Sequence, residues 1–293
     1  MKITNITFIL ILSIASDVLA GYTVTDAARR RVFFNYPPTR IISQLPCATE
    51  TIFAIGASKR LIGVTQSCVF PPEAQEKICI GSKNNPNLKM IISLKPDLVF
   101  INKNIHTSRL IRLYSQFGIN VIVINPINYQ HILASIILVG KACHLDERGK
   151  YISRKLAKIC LKIKNKTLNE TKPRVLFCTS INPIIAARPN TLYDNLINLA
   201  GAKNAIGYGD YTYPKLTAND LELCNPDIII TPSKTAKENL AKLIKKCPNI
   251  NAVKQNKVYI INHDYIYQTG PSLFLGLLEM TEKIHNIKID LEK

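Results

Sequence analysis

RIISQLPCATETIFAIGASKRLIGVT, residues 40–65, decides how the rest of this chain is read. Ile41, Ile42 and Leu45 form a short apolar, β-branched run suited to a buried strand. Pro46-Cys47-Ala48 is expected as a tight turn and Thr49 as the N-cap of a helix whose apolar face is Ile52, Phe53 and Ile55. Gly56 stops that helix, and Leu61 to Val64 reads as a second strand. Strand, turn, helix and strand make a βαβ unit, which implies a parallel sheet. Open parallel sheets bind ligands at the carboxyl ends of their strands, here Pro46 to Thr49. Pro46, Cys47 and Ala48 are therefore expected to face a ligand.

The alternation continues outward from that unit. Residues 84–94 read as a helix, Leu98 to Ile101 as a strand, 108–117 as a helix closed by Gly118, Val121 to Ile124 as a strand, and 127–143 as a helix. From Asp146 the pattern changes. Ile152, Leu156, Ile159, Ile163 and Leu168 form one apolar stripe at helical spacing, enough for a helix of roughly 30 Å. Alternation then resumes: strand from Arg174, helix from Thr191 to Ala200, strand Ile228 to Ile230, a helix near 238–245, strand Val258 to Ile261 and a closing helix over 271–287. LKPDLVFIN (94–102) is echoed by CNPDIIITP (224–232), each leading to a later strand that ends in Ile-Asn. The expected organisation is a polar lead-in over 21–39, an N-terminal α/β lobe over 40–145, a linker helix over 146–170 and a C-terminal α/β lobe over 171–293. Both lobes are expected to be Rossmann-like with central parallel sheets, and the ligand cleft to lie between them.

The chain has 293 residues, is 47% hydrophobic and 20% charged, and carries a formal net charge of +18. Met1-Lys2, the apolar run Phe8 to Leu12 and Val18-Leu19-Ala20 have the form of a secretory signal cleaved after Ala20, so the product is expected to be exported to the periplasm. Asp17 and the shortness of the apolar run argue against a membrane span. Cys47 is the first of eight cysteines, with no cysteine just after the signal to carry a lipid. In an exported protein Cys68 and Cys79, flanking a loop with Pro71-Pro72, form the first pair to test as a disulfide. The positive charge suits nucleic acid, an anionic membrane surface or an anionic small ligand. Its one dense run, Lys155 to Lys166, lies on an amphipathic helix where a solvated face accounts for it.

Taken in order, RIIS-x-x-P-x-ATE (Arg40 to Glu50), Gly56-Ala57, Leu61 to Val64, Pro71-Pro72-Glu73-Ala74, Asn87-Leu88, Leu94 to Val99, Tyr213-Pro214 and Asn225-Pro226-Asp227 resemble the Fe/B12-type periplasmic binding proteins. These are the substrate-binding components of ABC transporters for iron–siderophores, haem and cobalamin. The resemblance spans about residues 40 to 287. It implies two α/β lobes joined by a long helix, and one acidic residue per lobe that docks to the membrane permease. The first falls on Glu50; the second falls on Asn198, which is not acidic, with Asp194 one turn earlier as its substitute. Cobalamin-binding members place tryptophans around the cleft, and this chain has none. Ser67, Lys83 and Tyr265 fall on cleft positions, and Tyr211, Tyr213 and Tyr267 belong to aromatic clusters in C-lobe loops, suited to stacking on a ring or ligating ferric iron. Lys83 and Arg188 suit pairing with propionate, carboxylate or catecholate, and Asn182 completes the ligand-facing set.

The resulting expectation is a monomeric periplasmic carrier with no catalytic residues and no cofactor or metal site of its own. Its partners are an ABC permease and a small metal chelate, an iron–siderophore or haem, with cobalamin possible. No GxSxG, phosphate-binding glycine loop or HExxH supports an enzyme. The rival readings are a basic exported nucleic-acid-binding protein, for which charge alone speaks, and a bare-metal-binding protein, which five scattered histidines do not supply.

Overall fold

A computed structural model describes residues 21–82, 84–103, 107–232 and 247–290. The signal segment, Lys83 and the helix expected near 238–245 lie outside the described residues.

The chain opens with a hairpin of β1 (Tyr22–Thr25) and β2 (Arg31–Phe34), where a polar lead-in was expected. Alternating Val24, Val32 and Phe34 are buried, so one face packs on the N-lobe core while polar residues face out. Asp26 in the turn ties the hairpin to that lobe. Its carboxylate accepts from Arg30 Nη2 at 2.6 Å and from Val123 N, and Arg30 Nη2 also donates to Val121 O.

Next come β3 (Ile41–Ser43), α1 (Pro46–Ala54), β4 (Leu61–Val64), β5 (Ile78–Cys79), α2 (Leu88–Ser93), β6 (Leu98–Asn102), α3 (Thr107–Ser115), β7 (Asn120–Ile124) and α4 (Tyr129–Ala142). The sheet order is β5-β4-β3-β6-β7 and every pairing is parallel, as the opening βαβ unit requires. One detail differs. Pro46 does not make a turn but opens α1, where its fixed φ suits the first helical position. The N-cap is Leu45, and Thr49 sits buried within the helix.

Helix α5 (Asp146–Lys166) runs on from the N-lobe, with Leu156, Ile159, Cys160 and Ile163 buried. It crosses α4 where Gly140 meets Gly149; a Cβ on Gly140 would stand 2.9 Å from the Gly149 Cα. The buried stripe of α5 joins the same apolar cluster as α6 and the last helix, so α5 is packed along the second lobe's core.

The second lobe contains β8 (Arg174–Ile181), β9 (Ile184–Ala186), α6 (Leu192–Leu199), β10 (Lys203–Asn204), β11 (Lys215–Leu216), α7 (Ala218–Cys224) and β12 (Ile228–Thr231). It ends with α8 (Asn251–Lys254), β13 (Val258–Ile260), α9 (His263–Tyr267) and α10 (Leu273–His285). Strands β10, β8, β12 and β13 pair in parallel; β9 and β11 extend the sheet antiparallel, a hairpin not read from the sequence. The echoed Pro-Asp pairs have one structural role. Asp97 accepts from Arg40 N and Asp227 from Arg174 N, each clasping the residue that leads into its lobe's central strand. Lys95 and Asn225 before those prolines both take left-handed φ, 48° and 34°, to end the preceding helix.

No disulfide joins the cysteines of the described residues; Cys68 is buried and Cys79 exposed, so the pair expected first is unbridged. No helix among the described residues is long and apolar enough to cross a membrane.

Candidate functional site

The C-lobe contributes an aromatic cluster beyond its strand ends. Thr191 caps α6, its Oγ1 accepting from Asp194 N, and so fixes Tyr193 in the first turn. The Tyr193 ring stacks on Phe177 of β8 at 4.3 Å and meets the edges of Tyr213 and Tyr267, each at 6.3 Å. Tyr267 donates its hydroxyl to Thr179 O at 2.9 Å, and His263 lies 4.5 Å from its ring. His263 Nδ1 is 2.9 Å from Asp264 Oδ1, which leaves Nε2 for another partner. Burial raises the phenols of Tyr193, Tyr213 and Tyr267 above their usual range, so near neutral pH the cluster offers uncharged rings and hydroxyls.

Arg188 stands beside this cluster. Its backbone N donates to Thr212 O, and its O accepts from Thr191 Oγ1. Its guanidinium lies over Gly209, where a Cβ would overlap it. Arg188 Nε is buried, with no hydrogen-bond partner among the described residues. Tyr211 is widely exposed, as is Tyr208, and Asn182 is exposed at the tip of the β8–β9 turn.

The N-lobe side is quieter. Ser67 is half-buried and bonds to Thr65 Oγ1 at 3.1 Å; Pro46 is half-buried. Cys47 and Ala48 depart from the sequence reading: both are fully buried in the N-lobe core, since starting α1 at Pro46 turns them inward. Phe70 reaches across to Tyr265 of α9, ring edge to face at 6.4 Å, so the two lobes meet beside the cluster.

The docking assignments change most. Glu50 is 5% exposed, and both its oxygens accept hydrogen bonds from Ser272, at the start of α10 in the other lobe. A carboxylate enclosed between lobes does not present itself to a membrane partner. Asp194 spends its carboxylate within its own lobe, accepting from Asn204 Nδ2 at 3.0 Å and Asn190 N at 3.3 Å. Asn198 is exposed, in a concavity also lined by Lys164 and Lys172. Sequence reasoning missed Tyr193, whose one signal was its place just after a helix-capping threonine.

Two α/β lobes, each built on a central sheet with parallel strands, that meet at Phe70–Tyr265 and Glu50–Ser272 define the class of two-lobed α/β binding proteins. Residues 41–265 match the model of the periplasmic binding protein family, and the chain belongs to that family. It is 28% identical over 274 residues to the uncharacterized ABC transporter substrate-binding lipoprotein YvrC of Bacillus subtilis, covering 90% of this chain and 85% of that one. It is 24% identical over 254 residues to the vitamin B12-binding protein of Vibrio parahaemolyticus, covering 87% and 92%. Among solved structures, the periplasmic heme-binding protein BhuT in complex with two hemes superposes with a TM-score of 0.74 at 21% identity, over 84% of this chain and 98% of that one. The vitamin B12-binding protein BtuF of Vibrio cholerae does so with a TM-score of 0.74 at 21% identity, over 86% and 99%. The two-lobed fold is thus shared, and the nucleic-acid and bare-metal readings find no support in these likenesses.

Proposed function

We propose that the protein is the exported substrate-binding component of an ABC importer, capturing a metal chelate with an aromatic or macrocyclic frame between its lobes and passing it to a membrane permease. The observation that carries the ligand class is the Tyr193–Tyr213–Tyr267 cluster with Arg188 Nε unpaired beside it. Neutral phenol rings offer stacking surface, the Tyr213 hydroxyl offers a donor while that of Tyr267 is held by Thr179 O, and the guanidinium suits a propionate, carboxylate or catecholate oxygen. Haem or an iron–siderophore fits that pairing better than cobalamin, although relatives named for vitamin B12 keep the corrinoid as the second reading. The carrier acts as a monomer, without catalysis or a resident cofactor, after a signal cleaved behind Ala20.

Titration of the mature protein with haem, ferric siderophores and cyanocobalamin, followed by visible spectra and tyrosine fluorescence, tests the reading. One of the iron chelates is expected to bind with a Kd below about 10 μM. Arg188→Ala is expected to weaken that binding about tenfold or more by removing a charge-assisted bond. Binding of none of the three, or identical affinity in Arg188→Ala, would remove the basis for the ligand class.

A further inference from the structure

Glu50 stands where the two lobes touch, and its contacts cross from one to the other. It lies on α1 in the N-lobe, while both hydrogen bonds it accepts come from Ser272, 222 residues later in sequence. Ser272 N donates to Oε1, and Ser272 Oγ donates to Oε2 at 3.0 Å. The segment before α10 is shaped around this carboxyl: a Cβ at Gly270 would overlap Glu50 Oε2. A second glycine, Gly276, lets α10 approach α9, where its Cβ would meet Ile266 and Tyr265. Tyr265 in turn meets Phe70 of the N-lobe. Displacing Glu50 from Ser272 therefore loosens the same junction that sets the distance between the aromatic cluster and the N-lobe wall.

We propose that Glu50 is a positioning residue, an interlobe latch whose protonated form, with Oε1 accepting from Ser272 N and the Oε2 hydroxyl turned to Ser272 Oγ, holds the cleft at its closed spacing, and whose ionised form, an unpaired buried charge, releases it. This rests on the reading of that cleft as the ligand site. Among the described residues, the groups facing Glu50 leave its charge without a counter-ion. On its own helix the neighbour is the Cys47 thiol, which is itself pushed up by burial and by Glu50. From the other lobe, Gln268 to Ser272 carry no titratable side chain. Burial raises the Glu50 carboxyl to about 7 and outweighs the Ser272 bonds, which act in the opposite direction.

The sign follows from linkage. In an opened junction Glu50 meets water and titrates near 4.5; in the closed junction it titrates near 7. Closure thus binds the proton more tightly, is fully favoured below about pH 4.5, and weakens as pH rises through about 7. The ratio of closed to open junction is expected to fall on the order of a hundredfold across that window.

The test needs no ligand. Hydrogen exchange at the Ser272 amide, corrected for its intrinsic rate, reports the latch directly, and small-angle scattering reports the lobe spacing. In the wild-type protein, protection is expected to drop about tenfold or more between about pH 5 and about pH 8.5, with a rise in the radius of gyration. Glu50→Gln keeps an uncharged acceptor and is expected to stay protected and closed at both ends. Glu50→Ala is expected to lose protection throughout. Should that variant fail to fold, Ser272→Ala removes the Oγ bond alone and is expected to lower protection at the acid end. Constant wild-type protection, or a Glu50→Gln protein with the wild-type pH slope, would overturn the proposal. Failure to bind haem or any other chelate leaves these readouts untouched and counts against the ligand reading alone.

Discussion

Asp26 carries more structure than its place in a short turn suggests. Its buried carboxylate closes the β1–β2 turn through Ala28 N and Arg30 N, grips the Arg30 guanidinium, and accepts from Val123 N in the neighbouring sheet. Replacing it leaves a buried amide and a half-buried cation without their acceptor. Asp26→Ala is therefore expected to cost about 2–4 kcal/mol in urea unfolding, an effect well above that of a surface ion pair. The exposed Glu147, which pairs with Lys150 at 2.7 Å, provides the contrast: Glu147→Ala is expected to leave the urea unfolding midpoint unchanged, since solvent screens an exposed pair. At the site, Arg188 and Tyr213 were readable as candidates because charged and aromatic residues in loops draw attention. Cys47 and Ala48 misled because a proline after a strand was read as a turn, whereas proline equally well opens a helix.

Among the elements, α4 and α5 are joined by a close approach that depends on two glycines. A methyl on Gly140 would press on the Gly149 Cα and on Leu145 O, backbone atoms that cannot rotate away. Alanine brings about 1 kcal/mol of helix propensity, while overpacking costs about 1–3 kcal/mol. Gly140→Ala is thus expected to be net destabilising by about 1 kcal/mol, lowering the Tm by a few degrees in a calorimetric scan. The length of α5 was legible from its apolar spacing; its register against α4 was not, because a glycine in a helical pattern looks like a weakness until its neighbour is known. The β8–β9 hairpin escaped notice for a related reason. Asn182-Pro183 interrupts an otherwise apolar run, and only the pairing of Cys178 with Ala186 and Ile181 with Ile184 reveals two strands.

For the whole molecule, the junction between lobes links stability to pH with an unusual sign. Most carboxylates in folded proteins titrate below their free value and so favour the folded state as pH rises. Glu50 is raised to about 7, so its contribution is fully present below about pH 4.5 and is lost as pH passes 7. Comparing wild type with Glu50→Gln by urea unfolding isolates this group from the rest. The wild-type protein is expected to lose about 2–3 kcal/mol relative to the variant between about pH 5 and about pH 8.5. A difference that stays constant with pH would show that Glu50 does not titrate in the junction.

The α/β class, the parallel order of the first sheet and the family are written in the chain itself. Hydrophobic period and turn chemistry are local, and the repeated Pro-Asp clasp marks the lead-in to each lobe's central strand. Side-chain destinations are not local. Glu50 and Ser272 stand far apart in sequence, and no pattern around either announces a partner in the other lobe. Tyr193, Tyr213 and Tyr267 likewise come from three separate elements, and each alone looks like an ordinary tyrosine. Tertiary structure decided both the aromatic wall and the fate of the residue expected to dock. Burial depends on which surfaces meet, and the opening stretch turned out to hold the molecule's halves together rather than to face outward.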